Sequence, residues 1–239
     1  MHPAKYLLVM SLFLFSCKTT FTATNHLLNK GFPNNNVINL NHRLHRAVLK
    51  HHPSLVIIMI GTNDMINPPK MISFSEYKSK LNELVTNIKQ HGIHVLLLSP
   101  PPVDITDLLS RRSKKRFKVL PNEKIDSVTA IIHQIAVEQH CMYLDINRIF
   151  KEHHSPNDTK SSLIRNEINS ERKDGVHPTA EGYQLIAKSI FNFLKSRGKN
   201  YQRIICFGDS ITFGAYVRGE GSTKGDTYPA ILKRLLFPK

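Results

Sequence analysis

Tryptophan is missing from this 239-residue chain, cysteine occurs three times, and acids are scarce, 18 against 33 lysines and arginines. An odd cysteine count excludes a fully paired disulfide framework, and without C-x-x-C spacing there is little to hold zinc or run redox chemistry. Cys141 and Cys206 border or sit in expected strands, where a free cysteine packs as a small apolar residue. Long apolar runs are scarce too. The run from Tyr6 to Phe15, after Lys5, holds about ten residues, half of the roughly 20 that a membrane-spanning helix needs.

That length suits the apolar region of a cleaved export signal, so residues 1–23 are expected to be a signal and the mature protein to be exported. Leu14-Phe15-Ser16-Cys17 resembles the bacterial lipobox, which makes Cys17 a candidate lipidated anchor of an outer-membrane lipoprotein. Cleavage after Phe21-Thr22-Ala23 gives instead a soluble periplasmic or secreted protein, and a buried N-terminal helix is the third reading.

With so few acids the formal net charge is +15, which asks for an anionic partner. The densest basic run is Arg111, Arg112, Lys114, Lys115, Arg116 and Lys118, with Phe117 the one interleaved aromatic. No stacking platform or nucleic-acid reader motif accompanies it, so a solvated loop facing an anionic lipid or polysaccharide surface is expected rather than a nucleic acid.

What is present is a rhythm of short apolar runs separated by longer segments with helical spacing, the pattern of a parallel sheet covered on both faces. Strands are expected at Val37–Leu40, Leu55–Ile60, Val95–Ser99, Met142–Asp145 and Arg203–Phe207. Helices are expected at Phe74–His91, Asn122–His140, Ala180–Lys195 and Thr227–Leu236. The fold class is therefore α/β, a three-layer flavodoxin-like sandwich with five parallel strands, in one domain over residues 24–239. Pro100-Pro101-Pro102 stops one strand, and the segments 103–119 and 153–173 read as loops or lids.

Three motifs carry chemistry. Gly208-Asp209-Ser210 turns out of a buried strand and leaves a serine at its C-terminal edge, with the Ser210 N–H free to face an oxyanion. Asp174 and His177 lie three apart before a helix, so a base and the carboxylate that orients it come from one segment. Gly61-Thr62-Asn63-Asp64 follows another strand, where the Asn63 amide can donate to developing charge and Asp64 fits a structural acceptor. Taken singly, each motif has an ordinary alternative: a strand-ending turn, a helix N-cap beside a surface histidine, and a turn asparagine.

Together the three motifs and their neighbours resemble the SGNH (GDSL) hydrolase superfamily, in the branch containing isoamyl-acetate-hydrolysing esterases. The resemblance runs through Val56 to Asp64, Leu98 to Val103, Asp174 to Gly182 and Ile204 to Thr212. It implies Ser210 as nucleophile, His177 as base and Asp174 as its partner, with Ser210 N–H and Asn63 as oxyanion donors. It implies no metal and no organic cofactor. The activity implied is a serine esterase acting on small acyl or acetyl esters, including an acylated glycan, through an acyl-enzyme.

Two departures stand out. The family's serine block opens the domain, whereas here it follows the histidine block after a linker of about eight residues, Lys195 to Gln202, able to span about 25 Å. That order implies a circular permutation in which residues 203–239 supply the first strand and helix of the fold. The family's oxyanion glycine is expected after Val37–Leu40, where the sequence reads Asn41-His42-Arg43-Leu44, leaving only the Asn41 N–H as a substitute, with Gly31 placed before the strand. His26–Pro33 and Leu235–Pro238 also both look like the end of one first helix, the mark of a tandem-hydrolase remnant. The alternative function is a catalytically impaired module of the same fold that binds a glycan or membrane surface.

Overall fold

A parallel strand covered on both faces must be apolar at every position, and Leu55–Met59 is buried throughout. In the computed structural model, which describes residues 26–111 and 117–238, this run is β2 of a five-stranded, all-parallel sheet. The other strands are β1 (His26–Gly31), β3 (His94–Leu98), β4 (Met142–Leu144) and β5 (Arg203–Gly208). Their order across the sheet is β1-β5-β2-β3-β4, so the last strand of the chain lies between the first two. Gly208 is in register with Gly31 on one side and Met59 on the other, which brings the segments that follow these strands to one edge.

Ten helices are described: α1 (Val37–Ala47), α2 (Thr62–Ile66), α3 (Phe74–Lys89), α4 (Ile105–Ser110), α5 (Pro121–Glu138), α6 (Ile146–Glu152), α7 (Glu167–Ser170), α8 (Ala180–Ser196), α9 (Ser210–Phe213) and α10 (Tyr228–Leu236). The alternation of strand side chains divides the core in two. Val56, Ile58, Val95, Leu97 and Phe207 pack with α1, α3 and α5 through residues such as Leu40, Leu81 and Ile132. Leu55, Ile57, Leu96, Ile204 and Cys206 pack on the opposite side with α8 and α10, through Tyr183, Ile190 and Leu232. Each fully buried Leu or Ile contributes about 1.5–3 kcal/mol over an exposed one, so these two layers carry most of the stabilisation.

The expected strand at Val37–Leu40 is instead the first turn of α1. Asn36 caps it reciprocally with Asn39, and Val37, Leu40, Leu44 and Ala47 are buried at helical spacing. The fifth strand is β1, where the end of a helix was expected. It sits at the sheet edge with only Leu27 fully buried, so its sequence lacks the continuous apolar run of an interior strand. With His26–Gly31 a strand and Tyr228–Leu236 a helix, the two segments are not copies of one helix end, and the sign of a tandem remnant disappears.

The segment 103–119 is not loop throughout: Asp104 caps α4 by accepting from the Asp107 N–H. The short α7 interrupts 153–173 in the same way. Residues 1–23 with Cys17, and most of the basic run at 111–118, lie outside the described residues. Among the described residues no helix is long and apolar enough to cross a membrane.

Candidate functional site

Two residues beyond the level ends of β1, β5 and β2, Ser210 begins α9, whose N-cap Asp209 accepts from the Ile211 N–H at 2.9 Å. Ser210 Oγ lies 3.0 Å from His177 Nε2. On the far side of the imidazole, Nδ1 lies 2.9 Å from Asp174 Oδ2 and 3.0 Å from Oδ1. Residues from the last strand and from the segment before α8 thus form one continuous hydrogen-bonded line. The serine segment docks within its own chain, between β1 and β2.

Asp174 is 5% exposed. Burial alone pushes its carboxyl up, but the His177 side chain and the backbone N–H groups of His177 and Val176 more than offset this and hold it at about 2. The carboxylate therefore stays charged near neutral pH and fixes the Nδ1–H tautomer that leaves Nε2 facing the serine. Gly175 between them has φ +74°, and a Cβ there would sit 2.5 Å from the Asp104 carbonyl oxygen, so no other residue fits this turn.

Asn63, the second residue of α2, is buried with its amide held from both ends. Its Oδ1 accepts from Asn67 Nδ2 at 2.9 Å, while its own Nδ2 donates to the Asn35 carbonyl at 2.9 Å and approaches Asp209 Oδ2 at 3.5 Å. Asp64 is the structural acceptor expected: its Oδ1 takes the Val37 N–H at the start of α1. Burial pushes Asp64 up to about 7 and Asp209 up to about 6, so both acids beneath the site keep their protons well above the usual carboxylate range.

The expected oxyanion substitute, Asn41, lies inside α1 with its side chain bonded to the Val37 and Lys80 carbonyls, away from the serine. The glycine that looked displaced is in place at the end of a strand, because that strand is β1. Gly31 packs so closely on α9 that a Cβ would lie 2.0 Å from Phe213 N. Its N–H is used by Asn29 Oδ1. Asn34, three residues on, has φ +60° and lines the cleft with Ser210, and its N–H has no partner among the described residues. The Ser210 N–H is likewise unpartnered there.

Ser210, His177, Asn63 and Asn34 line one cleft of about 320 Å³. Three further residues shape it that sequence reasoning missed. Arg111 donates to the Asp174 carbonyl and lies 3.4 Å from Asp174 Oδ1. Tyr216, 47% exposed, sets its ring edge-on to His177 at 5.0 Å between centroids, and Arg165 stacks over it at 5.4 Å. Glu220 accepts the Tyr216 N–H at 2.6 Å and holds it at φ +67°. From the sequence, Arg111 was only the first charge of a basic run, and nothing marked Tyr216. No cluster of metal-ligating side chains occurs among the described residues.

Comparison with known proteins gives a matching family model, the GDSL-like lipase/acylhydrolase family, over residues 17–185. The matched span includes Asn63, Asp174 and His177 and stops before β5 and Ser210. Among solved structures, a catalytic mutant of Axe2, an acetylxylan esterase from Geobacillus stearothermophilus, is similar at 22% identity and TM-score 0.53, over 66% of this chain and 67% of that one. LAE5, an alpha/beta hydrolase enzyme from the metagenome of Lake Arreo in Spain, is similar at 22% identity and TM-score 0.53 over 69% of each chain. Among curated proteins there is no significant match.

Proposed function

Since the chain belongs to the GDSL-like lipase/acylhydrolase family, we propose that it is a serine esterase of small acyl or acetyl esters, with Ser210, His177 and Asp174 as its catalytic residues. The observation that carries this reading is the line Ser210–His177–Asp174, closed at 3.0 and 2.9 Å. Ser210 Oγ attacks the ester carbonyl as His177 Nε2 takes its proton, and Asp174 stabilises the imidazolium that results. The carbonyl oxygen, now negative, is met by the Ser210 and Asn34 N–H groups and by the Asn63 amide hydrogen that otherwise makes only the long 3.5 Å approach to Asp209. His177 returns the proton to the departing alcohol, leaving an acyl-enzyme. Water, deprotonated by the same imidazole, then releases the acid.

A circularly permuted block order accounts for the serine motif lying beyond the matched residues 17–185 and for β5 seated between β1 and β2. An acetylated glycan is the favoured substrate class, supported by the exposed Tyr216 ring, a surface on which a sugar can stack beside His177. The test is turnover of 4-nitrophenyl acetate by the wild type and by Ser210→Ala. Wild-type kcat is expected to exceed that of the variant by at least about 10⁴-fold. Equal rates would reduce the protein to a binding module.

A further inference from the structure

The end of the sheet opposite Ser210 carries a charge pattern that the ester site does not use. Helices α1, α3, α5 and α8 all run back to this end before the next strand starts, so residues 48–54, 89–94, 138–141 and 195–203 lie on one face. These segments hold Lys50, Lys89, Lys195, Arg197, Lys199 and Arg203, with Glu138 as their one acid. Glu138 is already paired with Lys78 at 3.7 Å. None of the six cations has an ion-pair partner among the described residues. Cations at helix C-termini gain about 0.3–1 kcal/mol from the helix dipole, which explains Lys89 and Lys195 in last turns. It does not explain Lys199 and Arg203, which lie beyond Arg197, the C-cap of α8 stacked over Phe193 at 4.8 Å.

Two observations indicate what this face meets. Between α8 and α10 it opens into a cleft of about 470 Å³ with Phe191, Leu194, Ile204, Leu236 and Phe237 on its walls and Lys195 and Lys199 among them. A free polyanion would use only the cations, whereas an amphiphile with a charged head and an apolar tail matches both features. The chain also enters the fold here: the His26 N–H donates to the Gln202 carbonyl at 2.8 Å, and His26 pairs with Arg203. Residues 1–25, with the apolar run from Tyr6 to Phe15, precede that point.

We propose that this basic face docks on an anionic lipid bilayer, with its cations among the headgroups and the α8–α10 cleft against acyl chains. The Ser210 cleft then opens on the opposite side. This proposal stands apart from the esterase reading, since neither face shares a residue with the other.

The experiment is flotation of the full chain with vesicles of phosphatidylcholine alone and of phosphatidylcholine mixed with phosphatidylglycerol. Any contribution of the apolar run at residues 6–15 is common to both vesicle types, so the ratio of the two partition coefficients isolates the charged face. Each cation near an anionic surface is worth about 5-fold, so Lys195→Glu, Arg197→Glu and Lys199→Glu together should lower the anion-dependent ratio at least about 100-fold. Reversing Lys118, Lys160 and Lys224, exposed elsewhere, should leave it near the wild-type value. Lys199→Glu alone, in a loop, keeps the test sound if the triple variant melts early, with a loss of at least about 5-fold. Equal partition of the wild type into both vesicle types would overturn the proposal. So would a control triple as damaging as the test triple, or tighter binding to a DNA duplex than to anionic vesicles. Turnover of the soluble aryl ester should be unchanged in every variant.

Discussion

The guanidinium of Arg111 holds Asp174 from 63 residues upstream, donating to its backbone carbonyl and lying 3.4 Å from its Oδ1. Arg111 touches neither Ser210 nor the His177 ring in the hydrogen-bond network, so it is a positioning residue that acts through the carboxylate.

Arg111→Met should lower kcat by about 10- to 100-fold, the range for losing a hydrogen bond to a charged group. KM for a small aryl ester should change little, and Arg111→Lys should recover part of the loss. A purely structural role would instead lower the melting temperature and leave kcat per folded molecule intact. Steady-state kinetics beside thermal melts separates the two outcomes.

Asn63→Ala should cost about 10²–10³ in kcat, as removal of an oxyanion donor does. Asn67→Ala removes the donor that orients the Asn63 carbonyl. Its cost should be smaller and should vanish in the double variant, where no amide remains to be oriented. Additive losses in that double-mutant cycle would show that the two residues act separately.

Stability should fall as pH rises through the region where Asp64 and Asp209 ionise. Both carboxyls are raised by burial, to about 7 and about 6, above their unfolded values. Their contribution is therefore full below about pH 4 and lost as pH climbs through 6 to 7. Asp174, held at about 2, has the opposite sign, and its contribution is lost as pH falls through that value. Asp64→Asn keeps an acceptor for the Val37 N–H and cannot ionise. It should flatten the melting temperature between pH 4 and 8, with a gain at the upper end of at most about 4 kcal/mol. A pH profile parallel to the wild type would refute the assignment.

Tyr216→Ala should raise KM for an acetylated oligosaccharide by about 3- to 10-fold while kcat on an aryl acetate moves little, matching the loss of an aromatic stacking contact. Tyr216→Phe, which keeps the ring, should behave like the wild type on both substrates. A drop in kcat on the aryl ester with Tyr216→Phe would point to the hydroxyl instead.

Much of this was legible from the residues. Leu55–Met59 and Arg203–Gly208 are buried on both faces, and the polar residues just past them, Asn63 and Ser210, could only emerge at the sheet edge. Asp174 and His177 announced each other through their spacing. The edge strand did not read as one, because His26–Gly31 mixes polar and apolar residues and draws its order from pairing with Arg203–Gly208. That single misreading moved the expected oxyanion position from the loop holding Asn34 to Asn41 in α1. Arg111 and Tyr216 stayed hidden for a related reason: their roles exist only in contacts with partners far away in sequence.

The seat of β5 has a consequence for how the molecule is made. A ribosome delivers this polypeptide from its amino end, so β1 and β2 emerge long before the ribbon that must separate them. Until then each presents an open flank toward the empty slot, a template for wrong pairing. Closure joins His26 to Arg203, a contact between distant parts of the sequence that favours slow folding. Ser210 arrives with the same ribbon, so under the proposed function a nascent chain gains its hydrolytic site only once residues 203–210 have been synthesised and inserted.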